Sequence, residues 1–144
     1  MFTAILWPVF ALVALTYAVW FTLYVQRFAH MRNSPPTKES FATGEAAKRY
    51  FQPVEMGANN LANLFEMPML FLTIVPLLLI MGQDTTIQVI LAWAFVAFRA
   101  GHSVVHVRRG PVAVRFSLYL ISCGIGLAMW IGFGVDLLLA TYLR

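Results

Sequence analysis

Only a few residues of this chain combine an ionisable or amide side chain with an apolar neighbourhood. Asn59, Asn63 and Glu66 are spaced i, i+4, i+7, and Arg99, His102 and His106 are spaced i, i+3, i+7. On a helix these intervals put side chains on one face. Each set is therefore a polar stripe, with two amides and a carboxylate on one helix and a guanidinium and two imidazoles on another. Arg115 and Tyr119, four residues apart, form a third, shorter stripe. Cationic donors, one carboxylate and amide groups gathered in one cleft suit an anionic, peptide-like ligand better than an apolar one. Each group also has a plainer reading. Glu66 and Arg99 can form a buried pair that fixes helix register, Asn59 and Asn63 can bond neighbouring helices, and the histidines can be core or interfacial groups. A metal at the histidines would have Glu66 as its only nearby carboxylate, so no metal is expected.

The elements that carry these stripes follow from composition. Of 144 residues, 60% are apolar and 11% charged, against about 25% charged in ordinary soluble domains. A water-soluble fold is excluded, and the length accommodates four membrane helices of roughly 20 residues in a single domain, 1–144. Residues 2–26 carry no charge, lack the basic start and cleavage site of a cleaved signal, and read as the first span. Residues 27–50, with their Pro-Pro pair and basic groups, read as a loop that returns to helix near Thr43. The second span is expected over 59–81, kinked at Pro68. The third is expected over 87–107, ended by Arg108-Arg109-Gly110-Pro111, and the fourth over 112–141. The fold class is thus an all-α integral membrane protein, a four-transmembrane-helix bundle.

Charge placement adds an orientation. Arg27, Arg32, Lys38, Lys48, Arg49, Arg108, Arg109 and Arg115 fall on one side and Arg144 alone on the other. The positive-inside rule then sets both termini on the non-cytoplasmic side. The basic groups fall in loops rather than in a stripe, which argues against nucleic-acid binding. At 1.5 Å per residue, Glu66 and Arg99 lie about 22 and 18 Å from the outer ends of their spans, so they are expected to meet as an ion pair. Cys123, the one cysteine, cannot form an internal disulfide and is expected in the core.

Two segments resemble the MAPEG family, the membrane-associated proteins in eicosanoid and glutathione metabolism, in a bacterial-type member. Asn63-Leu64-Phe65-Glu66-Met67-Pro68 is similar to the family's second-helix Asn-x-x-Glu followed by Pro. Phe98-Arg99-Ala100-Gly101-His102, continuing to His106, Arg115 and Tyr119, is similar to its third-helix Arg-x-x-His and the basic start of its fourth helix. The resemblance implies a homotrimer with glutathione, as co-substrate, bound between subunits near the cytoplasmic face. It implies that Asn63 and Glu66 contact the glutathione backbone, that Arg99 orients the cleft, that His102 and Tyr119 add contacts, and that Arg115 is the catalytic group favouring the thiolate. Asn59 and His106 line the same site. The chain departs from the family pattern in having Asn59 where many members have Arg, Ala62 where some have a basic residue, and His106 where several have Tyr.

The expected function is a membrane-embedded glutathione transferase or peroxidase acting on a lipophilic small molecule partitioned into the bilayer lipid. A non-catalytic member of the family, binding a lipid or another anionic ligand in the same cleft, is the alternative. A transporter using Glu66 as a proton-coupled site would be expected to carry an inverted repeat, and no internal repeat is visible.

Overall fold

A computed structural model describes residues 3–142. Its regular structure is all helical, with no strand among the described residues. Six α-helices run in order: α1 (Leu6–Asn33), α2 (Gly44–Phe51), α3 (Glu55–Leu64), α4 (Met67–Ile80), α5 (Thr86–Val107) and α6 (Val112–Tyr142). Four stretches are long and apolar enough to cross a membrane: α1, the run from Gly44 to Ile80, α5 and α6. The fold is the four-helix membrane bundle that the composition implied.

α1 departs from expectation at its basic end. Where a loop was expected from residue 27, the helix continues to Asn33. Basic side chains in a last helical turn complement the negative end of the helix dipole, so His30 and Arg32 favour helix there rather than breaking it. Ser34 and the Pro35-Pro36 pair, which lacks amide donors, stop it. Phe2, the first position of the expected span, and Arg144 lie outside the described residues. The chain then folds back on α1. His30 Nε2 lies 2.9 Å from the Tyr50 carbonyl oxygen, and the Tyr50 hydroxyl donates to the Ser34 carbonyl at 2.5 Å. Re-entry into helix falls at Thr43, as its side chain requires: the Thr43 hydroxyl oxygen accepts from the Ala46 amide at 3.1 Å, an N-cap for α2.

The helix over the second expected span begins before residue 59, with α3 at Glu55, and is broken rather than kinked. α3 ends at Leu64 and α4 begins at Met67, with Glu66 at φ −90, ψ −100 between them. Pro68 has no amide hydrogen and its ring crowds the preceding turn, so a continuous helical ladder cannot run through this point. Pro76 lies inside α4 as well.

Within a bilayer the helices are held by shape rather than by escape from water. α5 packs most extensively, chiefly on α6, and also touches α1 and α3. Phe71 of α4 and Phe95 of α5, both almost fully buried, stack with centroids 4.7 Å apart at 7°. Gly57 lets α3 approach α1: a Cβ there would sit 3.3 Å from the Leu23 Cα. Gln88 is buried and donates from Nε2 to the Met129 carbonyl at 3.1 Å, tying α5 to α6. On the outer surfaces Trp7, Phe10, Tyr17, Phe21 and Phe28 are exposed, as lipid-facing residues are.

Candidate functional site

The polar stripe of α5 turns inward as one face. Arg99, His102 and His106 are all buried, Arg99 completely. The Arg99 guanidinium lies 5.4 Å from the Tyr119 ring centroid and donates through Nη2 to the backbone carbonyl of Asn63. Its Nε and Nη1 have no partner. His102 is fixed by its Nδ1, 2.9 Å from the Arg115 carbonyl oxygen, and its ring sits 5.8 Å from Tyr119 and 5.5 Å from His106. The outer ring nitrogens, His102 Nε2 and His106 Nδ1, have no partner either. Arg115 and Tyr119 are half-buried on the facing side of α6. The structure thus brings together Arg99, His102, His106, Tyr119 and the backbone of Asn63 and Arg115.

It does not bring in the whole stripe of the second span. Asn63 is half-buried, while Asn59 and Glu66 are exposed on the single chain. The expected Glu66–Arg99 ion pair is not formed: the donor that Glu66 was to accept goes to the Asn63 carbonyl. The break after Leu64 is the reason, because it rotates Glu66 off the face that a continuous helix would have shared with Asn63. The inward amide is instead Asn60, fully buried, whose Oδ1 accepts from the Ser103 hydroxyl at 3.2 Å. Sequence reasoning missed this pair. The signal was the spacing Gly57, Asn60, Leu64, which matches the buried face of α3.

Two open spaces flank the cluster along α6. Toward the basic end lies a pocket of about 460 Å³ lined by Arg109, Arg115, Gln52, Met56 and the Gly110 turn. Arg109, at φ 55, is held there by donating to the Pro53 carbonyl at 2.6 Å. This left-handed backbone costs a non-glycine residue energy, and the tie to Pro53 helps hold it. Toward the other end lies an apolar groove of about 660 Å³ between α4, α5 and α6, whose lining includes Met67, Phe71, Leu120, Cys123, Leu127 and Trp130. Cys123 therefore faces a groove and is half-buried rather than sealed in the core. Residues 115, 119, 123, 127 and 130 of α6 are spaced by four, four, four and three and share one helix face, so a cationic pocket, the buried polar cluster and an apolar groove succeed one another along a single helix.

Four helices long and apolar enough to cross a membrane, one of them with a buried polar face, are those of a multi-pass membrane protein. The MAPEG family model matches residues 5–135, and the chain belongs to that family. This places it among the membrane proteins of eicosanoid and glutathione metabolism. Comparisons with curated proteins and with solved structures each returned no match.

Proposed function

We propose that the protein binds glutathione along this face and uses its thiol against lipophilic electrophiles dissolved in the bilayer, by transfer or by reduction. The observation that carries the reading is the order of environments along α6. An anionic, water-soluble tripeptide needs cations and amide partners, whereas an electrophile from the membrane needs an apolar groove beside the sulfur. Arg115 lines the cationic pocket, and the apolar groove begins at Leu120, five residues further along the same helix.

The buried donors fit such a ligand. Arg99 Nε and Nη1 are unpartnered buried donors and call for acceptors, while His102 Nε2, with Nδ1–H given to the Arg115 carbonyl, is an unpartnered acceptor that suits a ligand N–H or S–H. Asn63 and Glu66 are the family-matching positions for the peptide and amino group of the ligand. Asn59 and Glu66, exposed on one chain, supply the reason for placing the site between subunits of a homotrimer, where a neighbour covers them. His106 and Tyr119 complete the wall. Arg115 favours the deprotonated, nucleophilic form of the thiol, because a guanidinium in a poorly hydrated site stabilises the adjacent anion. With the basic end facing the cytoplasm, the cationic pocket opens to that side and the termini lie on the other.

Isothermal calorimetry of detergent-purified protein with glutathione tests this directly. Binding by the folded protein, weakened in Glu66→Ala and with turnover lost in Arg115→Ala, is expected. A folded trimer that shows no heat with glutathione refutes the reading. Asn59, where many family members carry Arg, favours a second reading, a non-catalytic member that holds a lipid or another anionic ligand in the same cleft. Lipid retained in the cleft without thiol chemistry would select it.

A further inference from the structure

The nucleophile beside Arg115 is a ligand's sulfur, whereas Cys123 is the chain's own, its one cysteine and a free thiol. It is half-buried in the wall of the apolar groove, within a turn of Leu120, where that groove begins on α6. Tyr119 precedes it by one turn on the same face, with its hydroxyl in reach of the thiol. The Arg99 guanidinium lies 5.4 Å from the Tyr119 ring centroid. Of the groups able to carry negative charge, Cys123 interacts with that guanidinium most strongly, ahead of Tyr119 and Glu66. Arg99 is fully buried, and its Nε and Nη1 have no partner. A thiol therefore stands where an apolar cavity meets two unspent cationic donors. Such a junction suits a molecule with an oxygen-bearing reactive head and a long apolar body, because buried donors call for acceptors and an apolar groove favours an uncharged chain.

We propose that Cys123 is a catalytic residue that reduces lipid hydroperoxides, its sulfur passing through a sulfenic acid. The acyl chain lies along the groove toward Leu127 and Trp130, and the free donors of Arg99 hold the peroxide oxygens and stabilise the charge that develops on the leaving alkoxide. The sulfur attacks the terminal peroxide oxygen, so an S–O bond forms as the O–O bond breaks. Sulfur is oxidised to the sulfenic acid, the peroxide is reduced to an alcohol, and the thiol proton ends on the leaving oxygen, with the Tyr119 hydroxyl placed to relay it. A first glutathione then attacks the sulfenic sulfur, giving a mixed disulfide and water, and a second releases glutathione disulfide and restores the thiol. Only this second half rests on glutathione binding at the site. Arg99 serves peroxide and glutathione in turn, so the alcohol leaves before glutathione acts and the kinetics are ping-pong.

The test starts from the full-length wild type in detergent, free of added thiol, mixed with methyl linoleate hydroperoxide and then with dimedone, which traps sulfenic acids. Peptide mass spectrometry should find the dimedone adduct on Cys123, and chromatography an equimolar yield of the lipid alcohol. No adduct, or no alcohol, overturns the proposal. Hydrogen peroxide, which has no apolar body to bury, should oxidise Cys123 at least about tenfold more slowly, and equal rates overturn the part given to the groove. With glutathione present, double-reciprocal plots should be parallel; intersecting lines show direct attack by glutathione on the peroxide and overturn the Cys123 route. Cys123→Ser should lower the ratio of hydroperoxide reduction to conjugation of a model electrophile by about 100-fold or more, the consequence of removing a nucleophile, and an unchanged ratio counts against it. The trapping step needs no glutathione. An adduct in a protein that gives no heat with glutathione supports the Cys123 step and refutes glutathione binding, and heat without an adduct does the reverse.

Discussion

Replacing Arg99 by Met separates a ligand-binding arginine from a structural one. The side chain is fully buried, spends Nη2 on the Asn63 carbonyl, lies over Tyr119, and leaves Nε and Nη1 without acceptors. An unsatisfied buried donor costs about 1–3 kcal/mol. Against this, the bond to Asn63 contributes about 1.5–3 kcal/mol and the contact with Tyr119 up to about 2. The two sides nearly cancel, so Arg99→Met should change the stability of the ligand-free protein by no more than about 2 kcal/mol, since an apolar group of similar volume often replaces a buried charge without loss. At this size that is a Tm shift of roughly 4–8 °C at most. Glutathione affinity behaves differently. Two charge-assisted bonds to the ligand vanish, worth about 3 kcal/mol or more together, and the dissociation constant should rise at least about 100-fold. Thermal unfolding in detergent with and without glutathione reads both quantities. The wild type should gain about 2.7 kcal/mol at a hundredfold excess over its dissociation constant, and the variant should gain almost nothing. A variant that unfolds far below the wild type yet keeps the glutathione shift would refute the reasoning and return Arg99 to a structural role.

Other expectations bear on the frame and on the groove. Gly57→Leu should prevent correct packing of α3 on α1, because the Leu23 backbone is only 3.3 Å from the added Cβ, while Gly57→Ala should cost about 1–3 kcal/mol by detergent unfolding. Phe71→Ala removes half of a stacked, buried pair and should cost about 3–5 kcal/mol in the same assay. Cys123, in the wall of the apolar groove, should react with a lipophilic maleimide faster than with a charged thiol reagent. The label should block turnover of a bulky lipophilic electrophile while leaving glutathione binding intact; equal rates with both reagents would show that the groove is not apolar. His102→Phe removes the ring N–H that ties α5 to the Arg115 carbonyl of α6 and should lower stability by about 0.5–1.5 kcal/mol, with loss of activity measured at saturating glutathione.

The spans and the inward face of α5 were legible in the sequence because the physics behind them is local. An uncharged run long enough to cross a bilayer has few alternatives, and three polar groups at helical spacing must share a side wherever the helix lies. The family resemblance rested on the same residues, Asn63 and Glu66 with Arg99 and His102. What was not legible depends on neighbours. Arg27 and Arg32 look like the start of a loop until the returning chain places Tyr50 and Phe51 against α1. Asn59 and Asn60 are adjacent amides, and only the packing of α3 on α1 and α5 decides that Asn60 turns inward. Pro68 announced a kink, but whether the ladder bends or opens is settled by what satisfies the freed backbone. Glu66 lost its expected partner through that difference.

The opening between α3 and α4 has a mechanical side. In an unbroken helix the Asn63 carbonyl would receive the Met67 amide, four residues on. Here it receives the Arg99 guanidinium instead. The break leaves one of the last carbonyls of α3 without a backbone donor, and a guanidinium from another span supplies it. A side chain of the third span therefore caps the helix of the second, and the same cation that faces the cleft also finishes the bend.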